Sequence, residues 1–390
     1  MRSVAGPTRS PFHTARSDHT GALRTPDWLR DLYVEHHAGQ IDDGALRSGQ
    51  VRAVRDVLRR QEQIGLPVVT DGELLRFAGF QQSFGGAVEG FDALPYVPTR
   101  RSSAAARQAA VATPHRVESG VSGPGTAIYN RLPVKHRLEL VHNLLADEYA
   151  LSSSLATHPV KLTLIGPDRI SQRFEYEHSR DVYPDMDAFL ADVIDIERRM
   201  LSEVIAAGCR YIQIDEPGYT AYVDPPLVER MHARGEDPRL NMQRSIRADN
   251  ALIAGFPDVT FAVHICRGNG GGRGGPGWHR EGSYDAIAEE LFRELKFDRF
   301  LLEYDSDAAG SLEALRFMPP DKTAVLGLVS NHGDVESPDY LRQRLDEATR
   351  YLPLEQLAIC PRCGFGSALT EEQQWGKLEL IQRVADEVWR

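Results

Sequence analysis

The stretch FAVHICRGNG (261–270) runs apolar and then sets His264 and Cys266 two residues apart, ahead of Arg267 and a glycine-rich loop. Alternate residues of a strand share a face, so an imidazole and a thiol leave this run side by side. Further on, LLEYD (301–305) carries Glu303 and ICPRCG (359–364) carries Cys360 and Cys363. Imidazole, carboxylate and thiolate form the donor set that zinc prefers. Each fragment alone says little, since a buried cysteine is ordinarily a small apolar side chain. Their recurrence at successive strand ends gives the expectation of a Zn2+ site made by His264, Cys266, Glu303 and Cys363. Cys363 is preferred over Cys360 because it precedes Gly364 in the turn, whereas Cys360 lies within the strand and reads as packed. Cys209 follows Gly208 at a helix end on the opposite side and reads as structural.

Such a site suits thiol chemistry. A free thiol has a pKa of about 8.5 and is mostly protonated near neutral pH, while the thiolate is the nucleophile. Zinc ligated by thiolates lowers the pKa of an added thiol, provided one position is open or exchangeable. Glu303 is the ligand expected to yield that position. Other reactive groups stand at strand ends too: Glu73 in VVTDGE (68–73), Asp215 and Glu216 in IQIDE (212–216), and His332 in LGLVSNHG (326–333). Asp18 and His19 are expected to line the same pocket. Arg267 is suited to orient a planar or tetrahedral anion.

Seven apolar runs could serve as the strands that position these residues: 66–73, 160–168, 210–218, 259–268, 299–307, 323–331 and 356–364. Most are apolar in front and polar or glycine-bearing behind, as parallel strands buried on both faces are when their ends open into a site. An eighth, less apolar, is expected near 12–19. Helix-period runs cover 49–64, 186–207, 284–295, 339–351 and 371–388. The alternation predicts an α/β fold, a (β/α)8 barrel with its site at the C-terminal strand ends. Residues 79–130 break the rhythm and read as an insertion or lid after the second strand, within one barrel domain spanning 1–390. The glycine-rich 268–279 reads as a loop, not as a phosphate-binding motif.

The 390 residues carry a formal net charge of −11, with 42% hydrophobic and 26% charged residues. That acidity disfavours nucleic acid and anionic membranes as general partners. No apolar run approaches a membrane span, and the Arg- and Ser-rich start has no apolar centre, so a cytoplasmic location is expected. The partners expected are a small thiol and an alkyl donor, with homo-oligomerisation left open.

His-x-Cys, a strand ending in Glu, and a Cys-Gly turn in the last strand together resemble the catalytic domain of cobalamin-independent methionine synthase. VVTDGE, IQIDEPG, HICRGN and CPRCGFGS extend the likeness over most of the chain, and HICRGN and DGE are similar to its shorter single-barrel relatives. The resemblance implies zinc activation of a thiol that attacks an alkyl group, most simply methyl transfer to homocysteine or a related thiol. It implies that Glu73 and Asp215 hold the amino group and that His332 donates a proton. Two departures bear on substrates: Ala22 stands where the family has serine, and GPDRISQRF (166–174) lacks the family's tryptophan. Arg169 and Arg173 in that segment hint at an anionic co-substrate. The full synthase's N-terminal barrel has no counterpart here. The superfamily also offers thiol addition to an epoxide, as in epoxyalkane:coenzyme M transferase, and a metal-free lyase like uroporphyrinogen decarboxylase. A non-catalytic structural zinc is the remaining reading, disfavoured because such sites usually staple one short loop.

Overall fold

The barrel is built from short runs dense in Ile, Val and Leu that bury both faces. A computed structural model describes residues 11–77, 79–92, 132–172, 174–267, 280, 282–365 and 369–389. Six strands form one parallel sheet in chain order. They are β3 (Lys161–Ile165), β4 (Tyr211–Asp215), β5 (Thr260–Ile265), β6 (Arg299–Glu303), β7 (Thr323–Val329) and β8 (Leu357–Pro361), and every residue in them is buried. Two shorter segments complete the ring. Val69 bridges Val160 beside β3, and Ser17 bridges Ile359 on β8, both in parallel. The segments meet each other where Leu23 N–H donates to Gly72 O at 3.0 Å and Thr70 Oγ1 to Gly21 O at 2.8 Å. This is the expected (β/α)8 barrel.

The first expected strand is the least regular. Pro11–Thr14 is a 3-10 turn, and only Ser17 of 12–19 makes a bridge. Its charged residues have other partners, as shown below. The helices over 186–207 and 371–388 fall close to expectation, at Met186–Ala206 and Glu371–Val388. The latter starts on a capping box of Thr370 and Gln373. Helices at Asp27–His37, Leu144–Leu155, Pro225–Ala233 and Pro238–Ile253 go beyond the sequence reading. They complete the layer packed around the sheet.

Of the expected insertion, Gln82–Gly85 is a single helical turn and β1 (Val88–Phe91) pairs antiparallel with β2 (Val134–Leu140). Residues 93–130 of that insertion lie outside the described residues, as do the loop 268–279 and Arg173.

Inside the ring, Val68, Tyr211, Ala262, Leu301, Val325, Ala358 and Cys360 form a separate apolar cluster, with Phe12 packed against it from the first segment. Cys360 therefore faces the closed interior, where its Sγ lies 3.8 Å from Val325 O. Cys209 is likewise buried, and burial pushes its thiol up to about 12.

Candidate metal and thiol site

Two-residue periodicity turns successive inward residues of β4 and β5 into a ladder from barrel centre to mouth. Gln213 and Asp215 rise along β4, and His264 lies one residue before the end of β5 with Cys266 just beyond. Cys363 arrives from the turn after β8. The ligand atoms of His264, Cys266 and Cys363 lie within 4.8 Å of one another, and among the described residues no other three His, Cys, Asp or Glu side chains do so.

The donors fit a metal. Both cysteines are free, with their sulfurs 3.8 Å apart. A disulfide would need about 2.05 Å. Two thiolates bound tetrahedrally at about 2.3 Å each would stand about 3.8 Å apart. His264 Nδ1 lies 3.0 Å from Asp215 Oδ1, the carboxylate–imidazole pairing that orients metal-binding histidines and frees the other nitrogen.

Without a cation the group holds its protons. Burial lowers His264, but hydrogen bonds to Asp215 and Cys266 lift it to about 10. Cys363 is pushed well up, first by the hydrogen bond it shares with Cys266 and then by burial. A bound cation would reverse each direction, replacing the imidazole proton and favouring the thiolate.

Glu303 stands beside this group and is not one of the three. Its Oε2 accepts from Arg267 N at 2.8 Å. Its Oε1 is buried without a hydrogen bond, 3.9 Å from Arg267 Nη1 and 3.7 Å from Arg362 Nη1. Burial raises Glu303 to about 7, with Arg362 opposing and Cys266 adding to the rise.

A second pocket wall is acidic. Glu73 is the only non-glycine with positive φ among the described residues, at 56° after Gly72 at 73°. A left-handed backbone costs an L-residue about 1–2 kcal/mol and marks a position held for a reason. Glu73 Oε1 accepts from Thr163 Oγ1 at 2.8 Å and lies 3.3 Å from Arg76 Nη1. Arg76 is itself held by Glu148 through two 2.6 Å bonds. Burial pushes Glu73 up to about 7, against Arg76 and with the help of Asp215. Glu73 and Asp215 thus feel each other, and each uses only one oxygen in its hydrogen bonds.

Two of the residues expected to touch substrate, Asp18 and Arg267, are otherwise engaged. Asp18 lies deeper in the barrel, where Oδ1 accepts from Lys161 Nζ at 2.6 Å and Oδ2 from Tyr211 Oη, with Arg299 Nη2 at 3.5 Å. Burial alone would raise Asp18, but Lys161 and Arg299 hold it down to about 2. Arg267 spends its guanidinium on the carbonyls of Arg280 and Gly282, because a buried guanidinium must satisfy its own donors. It ties Arg280 and Gly282 to the end of β5. His19 is buried, with Nδ1 3.4 Å from Gly21 N, and burial with nearby Lys161 lowers it to about 4. Its Nε2 is buried without a hydrogen bond.

His332 is exposed after β7, with Nδ1 3.0 Å from Ser330 Oγ. Burial and Arg362 lower its pKa below the usual imidazole value. Glu216 does not face the pocket: its two oxygens accept the backbone amides of Asp168 and Arg169, fixing the turn after β3.

Arg362 was not singled out from the sequence, although it sits between the two cysteines of CPRC. Its Nε donates to Asn331 Oδ1 at 3.0 Å, its Nη1 reaches Asp305 Oδ2 at 3.1 Å, and its carbonyl lies 3.4 Å from His264 Nε2. Asn331 Nδ2 donates to Gly364 O at 3.1 Å and ties down the Cys363 turn. Ala22 packs at this turn: a Cβ on Gly364 would come within 2.8 Å of the Ala22 Cβ.

Two thiols, an imidazole and flanking carboxylates at the mouth of an α/β barrel make a candidate metal site. The family described as the cobalamin-independent synthase catalytic domain matches residues 25–387, and the chain belongs to it. YxjG of Bacillus subtilis (strain 168) is 32% identical over 98% of this chain and 96% of its own. The methionine synthase of Saccharolobus solfataricus is 26% identical over 88% of this chain and 86% of its own. In fold, the chain is similar to the B12-independent methionine synthase of Shewanella sp. W3-18-1 solved with selenomethionine. The TM-score is 0.69 at 20% identity, covering 96% of this chain and 98% of that one. Among the described residues no helix is long and apolar enough to cross a membrane.

Proposed function

We propose that this protein is a zinc-dependent thiol S-alkyltransferase that moves a methyl group onto homocysteine or a related amino thiol. The observation that carries this reading is the juxtaposition of the His264–Cys266–Cys363 group with two carboxylates, Glu73 and Asp215, that each keep one oxygen free of hydrogen bonds. Zinc supplies thiol activation when bound. His264, Cys266 and Cys363 would hold it, and Glu303, whose Oε1 makes no hydrogen bond, would be the fourth ligand. Asp215 keeps the proton of His264 on Nδ1. Glu73 and Asp215 receive the ammonium group of the thiol and so aim its sulfur at the metal group. His332, in the turn after β7, is assigned proton donation to the departing group.

The homologous methionine synthase of Saccharolobus solfataricus supports methyl transfer, and the paired acids favour an amino thiol over a sulfonate thiol, which two carboxylates would repel. The test is titration of the zinc-loaded protein with homocysteine and with a sulfonate thiol, following zinc–sulfur ligation by X-ray absorption. Ligation by homocysteine at lower concentration is expected. Preference for the sulfonate would contradict the reading and favour epoxide opening. Turnover and thiol affinity measured together in His332→Gln test the proton-donor role, which requires turnover to fall more.

A further inference from the structure

We infer that Gln213 is a positioning residue that sets the selectivity of this site for an amino thiol by locking the Asp215 carboxylate. The inference rests on the proposed role of Asp215 as an ammonium contact. Gln213 is fully buried in the middle of β4, below Asp215 on the same inward face. Its Nε2 donates to Asp215 Oδ1 at 2.7 Å and to Thr20 O at 2.9 Å. Its Oε1 accepts from Lys161 Nζ at 2.9 Å.

This orientation is forced by chemistry. An ammonium only donates and a carboxylate only accepts, so an amide between Lys161 and Asp215 can sit one way round. Lys161 cannot turn aside, because its Nζ also donates to Asp18 Oδ1 at 2.6 Å and to His19 O. A continuous chain therefore runs from Asp18 through Lys161, Gln213 and Asp215 to His264. Its effect at the mouth is specific. Gln213 and His264 both occupy Oδ1 of Asp215, which leaves Oδ2 as the oxygen for a cationic group. Glutamate at 213 would oppose Asp215 with a second carboxylate, and leucine would leave Asp215 free to rotate and use both oxygens on other partners.

The experiment measures binding of homocysteine and of γ-mercaptobutyrate, the same thiol without its amino group, to zinc-loaded wild type and Gln213→Leu by calorimetry. Zinc content is measured alongside. Wild type is expected to prefer homocysteine. Gln213→Leu should lose roughly tenfold of that preference, about one charge-assisted hydrogen bond, with γ-mercaptobutyrate binding nearly unchanged and zinc retained. Gln213→Glu, which keeps the size and the Lys161 contact, should lose the preference in the same way and decides the matter if the leucine variant does not fold. An unchanged preference in the folded variants, or equal losses for both thiols, overturns the inference. A wild type without preference for homocysteine would instead sink the amino-thiol reading itself.

Discussion

Buried charge occurs at two levels of the same barrel, and the two levels differ in how it is compensated. In the lower interior, Asp18 faces Lys161, Arg299 and Tyr211, and both of its oxygens are engaged. Its carboxyl is held down to about 2. At the mouth, Glu73 and Glu303 are pushed up to about 7, and Glu303 Oε1 makes no hydrogen bond. Charge that is internally matched stabilises one arrangement of the strands. At the mouth the acids have looser partners, with Arg76 3.3 Å from Glu73 and Arg362 3.7 Å from Glu303, and in the proposed function a metal ion and a substrate ammonium complete the compensation. Compensation, more than burial, separates scaffold from site.

The contrast can be broken first at the lower level. Asp18→Asn leaves Lys161 and Arg299 without their carboxylate, and removing one partner of a buried pair costs about 3–5 kcal/mol. Urea unfolding should show that loss. Because the folded pKa of Asp18 is depressed, its contribution is complete above the unfolded carboxyl value and fades as pH falls toward 2. The wild-type advantage over Asp18→Asn should shrink accordingly in acid.

At the mouth, the two acids should separate. Asp215→Asn disturbs the His264 hydrogen bond and should weaken zinc affinity about 10–100-fold, measured by chelator competition, while also weakening amino-thiol binding. Glu73→Gln should leave zinc affinity alone and raise the apparent Kd for homocysteine by about 1–3 kcal/mol. Equal zinc loss in both variants would remove the distinction drawn between them.

The smallest expected effect is a pH leg. Glu73 binds an ammonium only when ionised, and its pKa lies near 7. The homocysteine preference over γ-mercaptobutyrate should therefore rise as pH increases through that value, and Glu73→Gln should flatten the rise. Taking the ratio cancels the ionisation of the thiol common to both ligands.

Much of this was legible in the residues. His264 and Cys266 share a face because strands alternate, and the Cys363–Gly364 turn is visible as a turn. Asp18 shows where legibility stopped. A strand-end acid reads the same whether it faces the mouth or the interior, and the clue lay elsewhere, in Lys161 at the head of the apolar KLTLI. A lysine buried there needs an internal carboxylate. Gln213 was silent for a similar reason: an amide inside a strand gains meaning only from the Lys161 and Asp215 brought to its two ends. The ends of Arg267 and Arg362 likewise depend on which carbonyls and acids the loops deliver.

The most direct measurement is the zinc content of purified wild type, Cys266→Ser and Cys360→Ala, with folding followed by circular dichroism. About one zinc per chain is expected in wild type and in Cys360→Ala, whose sulfur lies in the closed interior beside Val325. Cys266→Ser should lose most of its zinc while keeping the barrel, since Cys266 lies beyond the end of β5. Full zinc in Cys266→Ser, or its loss in Cys360→Ala alone, would contradict the metal centre described for this mouth.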